Sequence, residues 1–323
     1  MHKVLITGGS GFIGRYFIEK LQGKEIVNLD LREPDFQSDA RFVQGDIRNS
    51  ELVKQALGNS DTLIHLAAMH HDFGIADEAY FDTNVGGAMV LIAAAEAGNV
   101  KQIIFFSSVA VYGDKGNPGP TTELTEPAPT SPYGHSKLQA ERAFEEWAHA
   151  DPTRKLIVVR STVVFGAHNL ANVLNLIKAI DQGLYFHVGK GDAIKSLGYV
   201  ENIVDASLFA VEKTKSGVFL FNYVDYPQQT NRAIADLQAG MLGRKIRLRL
   251  PLWFAVLLAK PFDFAILLSG KNLKISSKRV KKLCTQTNHS ADLIRSLGFK
   301  PAFPIDYGMR QMINWYKGST KKD

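Results

Sequence analysis

The chain has 323 residues, 45% of them hydrophobic and 22% charged, which excludes a disordered polymer and leaves room for a large core in one or two domains. One cysteine, Cys284, excludes an internal disulfide, fits a reducing compartment and reads as a half-buried small side chain. The net charge of +6 is unevenly spread: from residue 240 onward 17 Lys and Arg face 4 Asp and no Glu, whereas the 239 residues before carry 21 against 28. Such asymmetry points to an anionic partner for the C-terminal part, which could be a phosphorylated substrate, nucleic acid or an acidic membrane surface.

In chain order, residues 3–7 read as a short buried strand that starts at once, with no export signal before it, so a cytoplasmic protein is expected. A glycine-rich turn and a helix over 12–21 follow. Short apolar runs rich in β-branched and aromatic residues at 26–29, 62–66, 102–107 and 156–160 alternate with helically spaced segments at 50–57, 88–97 and 137–148. Strands alternating with helices predict βαβ units and an α/β fold: a doubly wound parallel Rossmann sheet with a smaller α/β substrate domain. The expected division gives 1–166 and 196–225 to the larger, sheet-bearing domain, and 167–195 with 226–323 to the smaller substrate-binding domain. Residues 115–132 hold five prolines and read as a surface loop; 170–182 reads as a helix.

Residues 251–270 hold two apolar runs, 252–259 and 264–268, split by Lys260, Pro261 and Asp263. Proline and two charges at the centre argue against a spanning helix. Composition favours helices packed on the core; the alternative is an interfacial segment making a peripheral membrane contact, next to the cations Lys271, Lys274, Lys278, Arg279, Lys281 and Lys282.

The motif TGGSGFIG places Gly8, Gly11 and Gly14 after a strand and at the opening of a helix. Glycine there permits a tight turn and close approach of backbone to a pyrophosphate, with Phe12 and Ile13 at the helix N-terminus. Asp30 ends the next strand, where its carboxylate suits the ribose hydroxyls of NAD and repels a 2′-phosphate, although Arg32 stands nearby. Asp46 and Ile47 follow the third strand and are expected at the adenine edge. Leu66, Ala67 and Ala68 follow the fourth and are expected beside the pyrophosphate and nicotinamide ribose. His65 between them reads equally well as a satisfied core histidine.

Tyr133 and Lys137 lie four residues apart at a helix start and share a face. A tyrosine is a poor base at neutral pH unless a nearby cation favours its phenolate. Ser108 ends the strand at 103–107, where the active groups of an open parallel sheet emerge, and its hydroxyl can hold a substrate oxygen against Tyr133. Ser108, Tyr133 and Lys137 are therefore the expected catalytic set, with Tyr133 and Lys137 also meeting the cofactor. No metal is expected.

Together TGGSGFIG, HLAA, Asn84 in TNVGG, FFSSVAVYG, YGHSK and VVFG resemble the extended short-chain dehydrogenase/reductase family, in its order and across the chain. The likeness is greatest to the nucleotide-sugar epimerase/dehydratase branch, which implies bound NAD that oxidises a sugar carbon to a ketone. Val109 and Ala110 stand where dehydratases of that branch carry Asp-Glu, which favours epimerisation or keto reduction. Val163 stands where epimerases place a diphosphate-holding Asn, whereas Lys195 and Arg279 match the branch's diphosphate-binding cations.

His70, Asp72, Asn172, Lys195, the run from Phe221 to Asp225 and the segment 276–282 further resemble bacterial polysaccharide-cluster epimerases, some acting on undecaprenyl-diphosphate-N-acetylhexosamine. The resemblance implies 4-epimerisation of a diphosphate-linked N-acetylhexosamine, polyprenyl- or UDP-linked, in O-antigen or other surface polysaccharide biosynthesis. The implied substrate residues are His70, Asn172, Lys195 and Arg279. A homodimer and a location at the inner face of the cell membrane are implied as well. The alternatives are a soluble UDP-sugar 4-epimerase, an NAD(P)H-dependent 4-keto-sugar reductase and a redox-inactive nucleotide sensor. No nucleic-acid partner is expected, since the basic residues form no recognition motif.

Overall fold

The computed structural model describes residues 1–70, 75–98, 100–113, 119–269 and 276–319. The expected alternation runs through β1 (Lys3–Thr7), α1 (Phe12–Lys20), β2 (Glu25–Asp30), β3 (Arg41–Gln44), α2 (Ser50–Leu57), β4 (Thr62–His65), α3 (Asp77–Phe81), α4 (Gly87–Ala97), β5 (Gln102–Ser108), α5 (Pro132–His149) and β6 (Lys155–Ser161). It continues through β7 (Val163–Phe165), α6 (Asn172–Asp181), β8 (His187–Val188), β9 (Ile194–Lys195), β10 (Leu197–Tyr199), α7 (Val200–Lys213), β11 (Gly217–Tyr223), β12 (Gln229–Thr230) and α8 (Asn231–Leu242). The remaining elements are β13 (Arg249–Leu250), α9 (Leu252–Ser269), α10 (Ser277–Leu283), α11 (Asp292–Ser296) and α12 (Ile305–Ser319).

Among the described residues seven strands form one sheet in the order β11-β6-β5-β4-β1-β2-β3, every pair parallel. Helices cover both faces, so the strands are buried twice over and read as unbroken apolar runs; Val4, Leu5 and Ile6 are fully buried. The order reverses between β1 and β4. That reversal opens a crevice at the strands' C-terminal ends, where β1 delivers Gly8, β4 delivers Leu66 and β5 ends in Ser108.

The backbone divides into two compact units. The first comprises 1–162, 200–224 and 289–302, and the second 163–199, 225–288 and 303–323. These limits differ from the expected ones at 163–166, 196–199, 225 and 289–302. Residues 163–165 and 197–199 pair with each other as β7 and β10 rather than joining the large sheet. Residues 289–302 return to the first unit, where Phe299 packs on Phe209 and Tyr223, and Thr121 bridges to His289. The proline-rich loop is shorter than expected, because Ser131 caps α5 and Pro132 occupies its first turn.

In the second unit α6, α8 and α12 pack around Ile180, Ala235 and Ala239, with Met309, Met312 and Ile313 buried on α12. Gly308 fits against the Tyr199 ring, where an added Cβ would come within 2.4 Å. Core packing of 251–270 is overturned: 252–269 form one helix, α9, continuous through Pro261, on which Trp253, Leu257, Leu258, Phe262 and Phe264 are exposed. Among its described side chains only the small residues Ala255 and Ala259, four apart, are buried.

Deep in the first unit, Arg160 of β6 makes a forked ion pair with Glu141 of α5 at 2.7 Å. The guanidinium also donates to the Tyr112 hydroxyl (2.9 Å), which donates to Asn222 (2.8 Å), so α5, the segment after β5, β6 and β11 are tied through one buried network. Every partner is satisfied, and removing one charge would strand the other. Glu141→Gln should therefore cost about 3 kcal/mol in denaturant unfolding.

Candidate active site

The turn after β1 fits a dinucleotide. Gly8 has φ +74°, and a Cβ there would lie 2.7 Å from the Ala67 nitrogen. Leu66 and Ala67 both donate to the Thr7 carbonyl at 3.0 Å, so the end of β4 presses against this turn and leaves no room for a side chain. A Cβ on Gly14 would strike the Gly8 carbonyl at 2.5 Å, which sets how closely α1 meets its strand. No side chain caps α1 at Gly11, so the N–H groups around Phe12 and Ile13 suit a phosphate rather than a protein acceptor.

Asp30 ends β2, and its carboxylate accepts from the Ser10 nitrogen (3.1 Å) and the Arg32 nitrogen (3.2 Å). Those bonds fix it beside the glycine turn, as the sequence predicts. The neighbouring expectations divide. Asp46 is held by a fork from Arg48 at 2.6 Å, and this hydrogen bond draws its carboxyl below the usual range. Ile47 is core: its side chain lies against α4, where a Cβ on Gly87 would meet it at 2.3 Å. Only its backbone is available to an adenine.

Ser108 accepts from the Ala110 nitrogen (3.2 Å) and so caps the short turn Val109–Tyr112. The first turn of α5 packs directly on that segment, since a Cβ on Gly134 would meet the Ala110 carbonyl at 2.6 Å. Ser108 and Tyr133 are thereby brought to neighbouring places. Tyr133 is half-buried with its ring edge-on to Tyr80, centroids 6.4 Å apart.

Lys137 lies one helical turn on, 2% exposed, with its ammonium 4.2 Å from the centroid of the Phe105 ring. Burial pushes its pKa down to about 7, an effect that the Glu141 carboxylate one turn further partly opposes. Phe105 stacks on His65, whose Nδ1 is 2.7 Å from the Thr7 hydroxyl. Burial first, and then Lys137, hold the His65 ring well below its ordinary pKa, so it is neutral. His65 is thus the satisfied core residue of the two readings, joining the glycine turn to the lysine.

Two positioning residues were not legible as such. Asn84, buried in a π-helical turn over 82–86, accepts from the Met69 nitrogen (2.8 Å) and donates to the Met69 carbonyl (3.0 Å) and the Ser136 hydroxyl (2.9 Å). Ser136 in turn donates to the Tyr133 carbonyl at 2.9 Å, so one amide bolts the segment after β4 to the start of α5. Glu141 is the other. Its place four residues after Lys137 was a signal, because positions 133, 137 and 141 share one helix face.

The expected substrate residues are less gathered. His70 is exposed with Nδ1 3.2 Å from the Ala68 carbonyl, and Asp72 lies outside the described residues. In the second unit Asn172 opens α6 at an N-terminus that no side chain caps, and Arg279 lies in the first turn of α10, capped by Ser276. The Lys195 ammonium donates to the carbonyls of Lys282 (3.2 Å) and Thr285 (2.5 Å), closing the C-terminus of α10. Sequence reasoning missed a cavity of about 600 Å³ in this unit, bordered by Lys190, Asn231, Arg249, Leu252 and the half-buried Cys284.

Residues 4–222 match the NAD dependent epimerase/dehydratase family. The chain belongs to this family. It is 36% identical over 324 residues to an N-acetyl-alpha-D-glucosaminyl-diphospho-ditrans,octacis-undecaprenol 4-epimerase of Escherichia coli O157:H7, covering 99% of this chain and 97% of that one. Among solved structures it resembles a UDP-glucose 4-epimerase of Thermotoga maritima with UDP-glucose (TM-score 0.78, 22% identity, 98% and 99% coverage). It also resembles the Thermus thermophilus UDP-glucose 4-epimerase in complex with NAD (TM-score 0.77, 21% identity, 98% and 99% coverage). At those identities the likeness is one of fold.

Two measurements check this geometry. Asp30→Asn keeps an acceptor for Ser10 but removes the charge; isothermal titration should show NAD binding weakened about tenfold and NADP binding no longer disfavoured. Lys137 has a lower pKa folded (about 7) than unfolded (about 10.4), so the unfolded chain holds the extra proton between those values. Stability of the cofactor-free protein should therefore rise from about pH 7 to about pH 10. Lys137→Met should abolish that slope and add about 1 kcal/mol at pH 7 in urea unfolding.

Proposed function

We propose that this family member is an NAD-dependent 4-epimerase of a diphosphate-linked N-acetylhexosamine carried on a polyprenyl lipid, acting in surface polysaccharide biosynthesis. The observation that carries the reading is the end-to-end 36% match to the Escherichia coli O157:H7 epimerase of that substrate class, on a chain that carries Ser108, Tyr133 and Lys137. UDP-glucose 4-epimerases among its relatives, such as that of Vibrio cholerae at 27% identity over 318 residues, make a soluble UDP-sugar the second reading.

In this reading the glycine turn and the open N-terminus of α1 hold a pyrophosphate, and Asp30 takes the adenosine ribose hydroxyls. Bound NAD would supply reversible hydride exchange at C4 of the sugar. Tyr133, as its phenolate, would take the proton from the 4-hydroxyl and, as the resulting phenol, return it. Lys137 favours the phenolate and hydrogen-bonds the nicotinamide ribose; its own burial keeps the charge undiluted by water. Ser108 orients the sugar oxygen toward Tyr133. Glu141 and Asn84 hold the helix bearing both residues and touch no substrate.

Lys190, Arg249 and the uncapped start of α6 are suited to a diphosphate in the second unit, where Val163 supplies no amide. A polyprenyl-linked substrate would put the work at the inner face of the cell membrane.

Purified protein should interconvert the 4-epimers of polyprenyl-diphosphate-N-acetylhexosamine with no net nicotinamide absorbance change. Tyr133→Phe should lower kcat by about 10²–10⁴ while leaving NAD bound. Turnover of UDP-N-acetylglucosamine alone would reject the lipid-linked substrate, and stoichiometric consumption of NADH would reject epimerisation.

A further inference from the structure

We propose that α9 and α10 form a docking face for an anionic lipid bilayer, with α9 lying in the headgroup region. This goes beyond the proposed reaction, since the face is built whichever sugar diphosphate is used.

Burial along α9 is inverted. Two of its three alanines face inward, Ala255 and Ala259 being 5% and 2% exposed, while Ala265 is exposed. The bulky residues face outward: Trp253 is 68% exposed, Phe264 61%, Leu257 and Leu258 50% each and Phe262 40%. Positions 253, 257 and 264 fall on one stripe of the helix, 258 and 262 lie further round it, and the exposed Pro261 and Ala265 fill the sector between, so apolar exposure covers about half of the helix circumference. A soluble monomer rarely presents such a patch to water without a partner. Trp253 stands at the N-terminal end of the stripe, and its ring suits the boundary between headgroups and acyl chains.

Charge identifies the partner. α10 carries Lys278, Arg279, Lys281 and Lys282 with no acid, and Lys260 projects from the outer side of α9. Asp263 is the one acid among the described residues of the two helices, and it is turned inward: its carboxylate accepts from the Ser277 nitrogen at 2.9 Å. Ser277 also donates to the Val256 carbonyl at 3.3 Å, so α10 is fastened along α9 and the cations flank the apolar stripe. A second copy meeting this face by a two-fold axis would set cations against cations. Anionic headgroups neutralise them, and long lysine stems reach phosphates while the apolar residues enter the lipid.

The association is superficial. No described helix is long and apolar enough to cross a membrane, and Lys260, Pro261 and Asp263 interrupt α9 at its middle.

The test uses the full-length protein and vesicles of phosphatidylcholine alone or mixed with phosphatidylglycerol, without substrate, so its outcome is separate from that of the epimerase assay. Cosedimentation should show at least about tenfold tighter binding to the anionic vesicles, weakening as salt rises. Brominated lipid should quench tryptophan emission in the parent protein and not in Trp253→Ser. The pair Trp253→Ser/Phe264→Ser should lose about tenfold in binding, and Lys278→Gln/Lys281→Gln/Lys282→Gln should lose the preference for anionic lipid. Because all five side chains lie on the surface, circular dichroism and NAD binding should match the parent.

The proposal fails if the parent stays in the supernatant with anionic vesicles, or if the Trp253/Phe264 variant binds them unchanged. It fails equally if that variant turns a solution dimer into a monomer without altering vesicle binding, which would make the face a contact between copies.

Discussion

A buried ammonium organises the first unit. Lys137 is desolvated against the Phe105 ring, and only the nearby Glu141 carboxylate supports its charge from the protein side. That carboxylate is itself committed to Arg160, and Arg160 to Tyr112 and Asn222. α5, the segment after β5, β6 and β11 are thereby tied to the position of one cation. The arrangement costs stability in the free protein and is the kind of conflict expected at a working site, where local rules are broken to poise a group near neutrality.

The opposite side of the crevice is set by close approach rather than charge. Thr7 receives two backbone hydrogen bonds from the end of β4, and the contact this enforces leaves space for glycine alone at position 8. His65 links the two halves, sharing a hydrogen bond with Thr7 and a stacked contact with Phe105. The glycine turn and Lys137 are thus joined through three packed side chains, Thr7, His65 and Phe105, which favours preorganisation.

Much of this was legible in the chain. β1, β2, β4, β5 and β6 show as apolar runs because parallel strands are buried on both faces, and Gly8, Asp30, Tyr133 and Lys137 sit in spacings that only one kind of turn or helix face explains. What was hidden depends on tertiary contact. Nothing local says that Lys195 will close α10, that Ile47 will point into the core, or that 289–302 will return to the first unit. The apolar run at 251–270 departs from expectation for the same reason: hydropathy reports a preference for leaving water but not the surface that will cover it, and in α9 Ala255 and Ala259 took the inner positions.

The state of Lys137 decides whether this picture of the site holds. Heteronuclear NMR of side-chain-labelled lysine in the cofactor-free protein reads it directly, with Lys137→Arg assigning the signal. The burial described above predicts a Lys137 midpoint near 7. A midpoint at the value of a freely hydrated lysine, about 10.4, would mean a hydrated ammonium, and the arrangement of Phe105, Glu141 and Arg160 around it would lose its meaning.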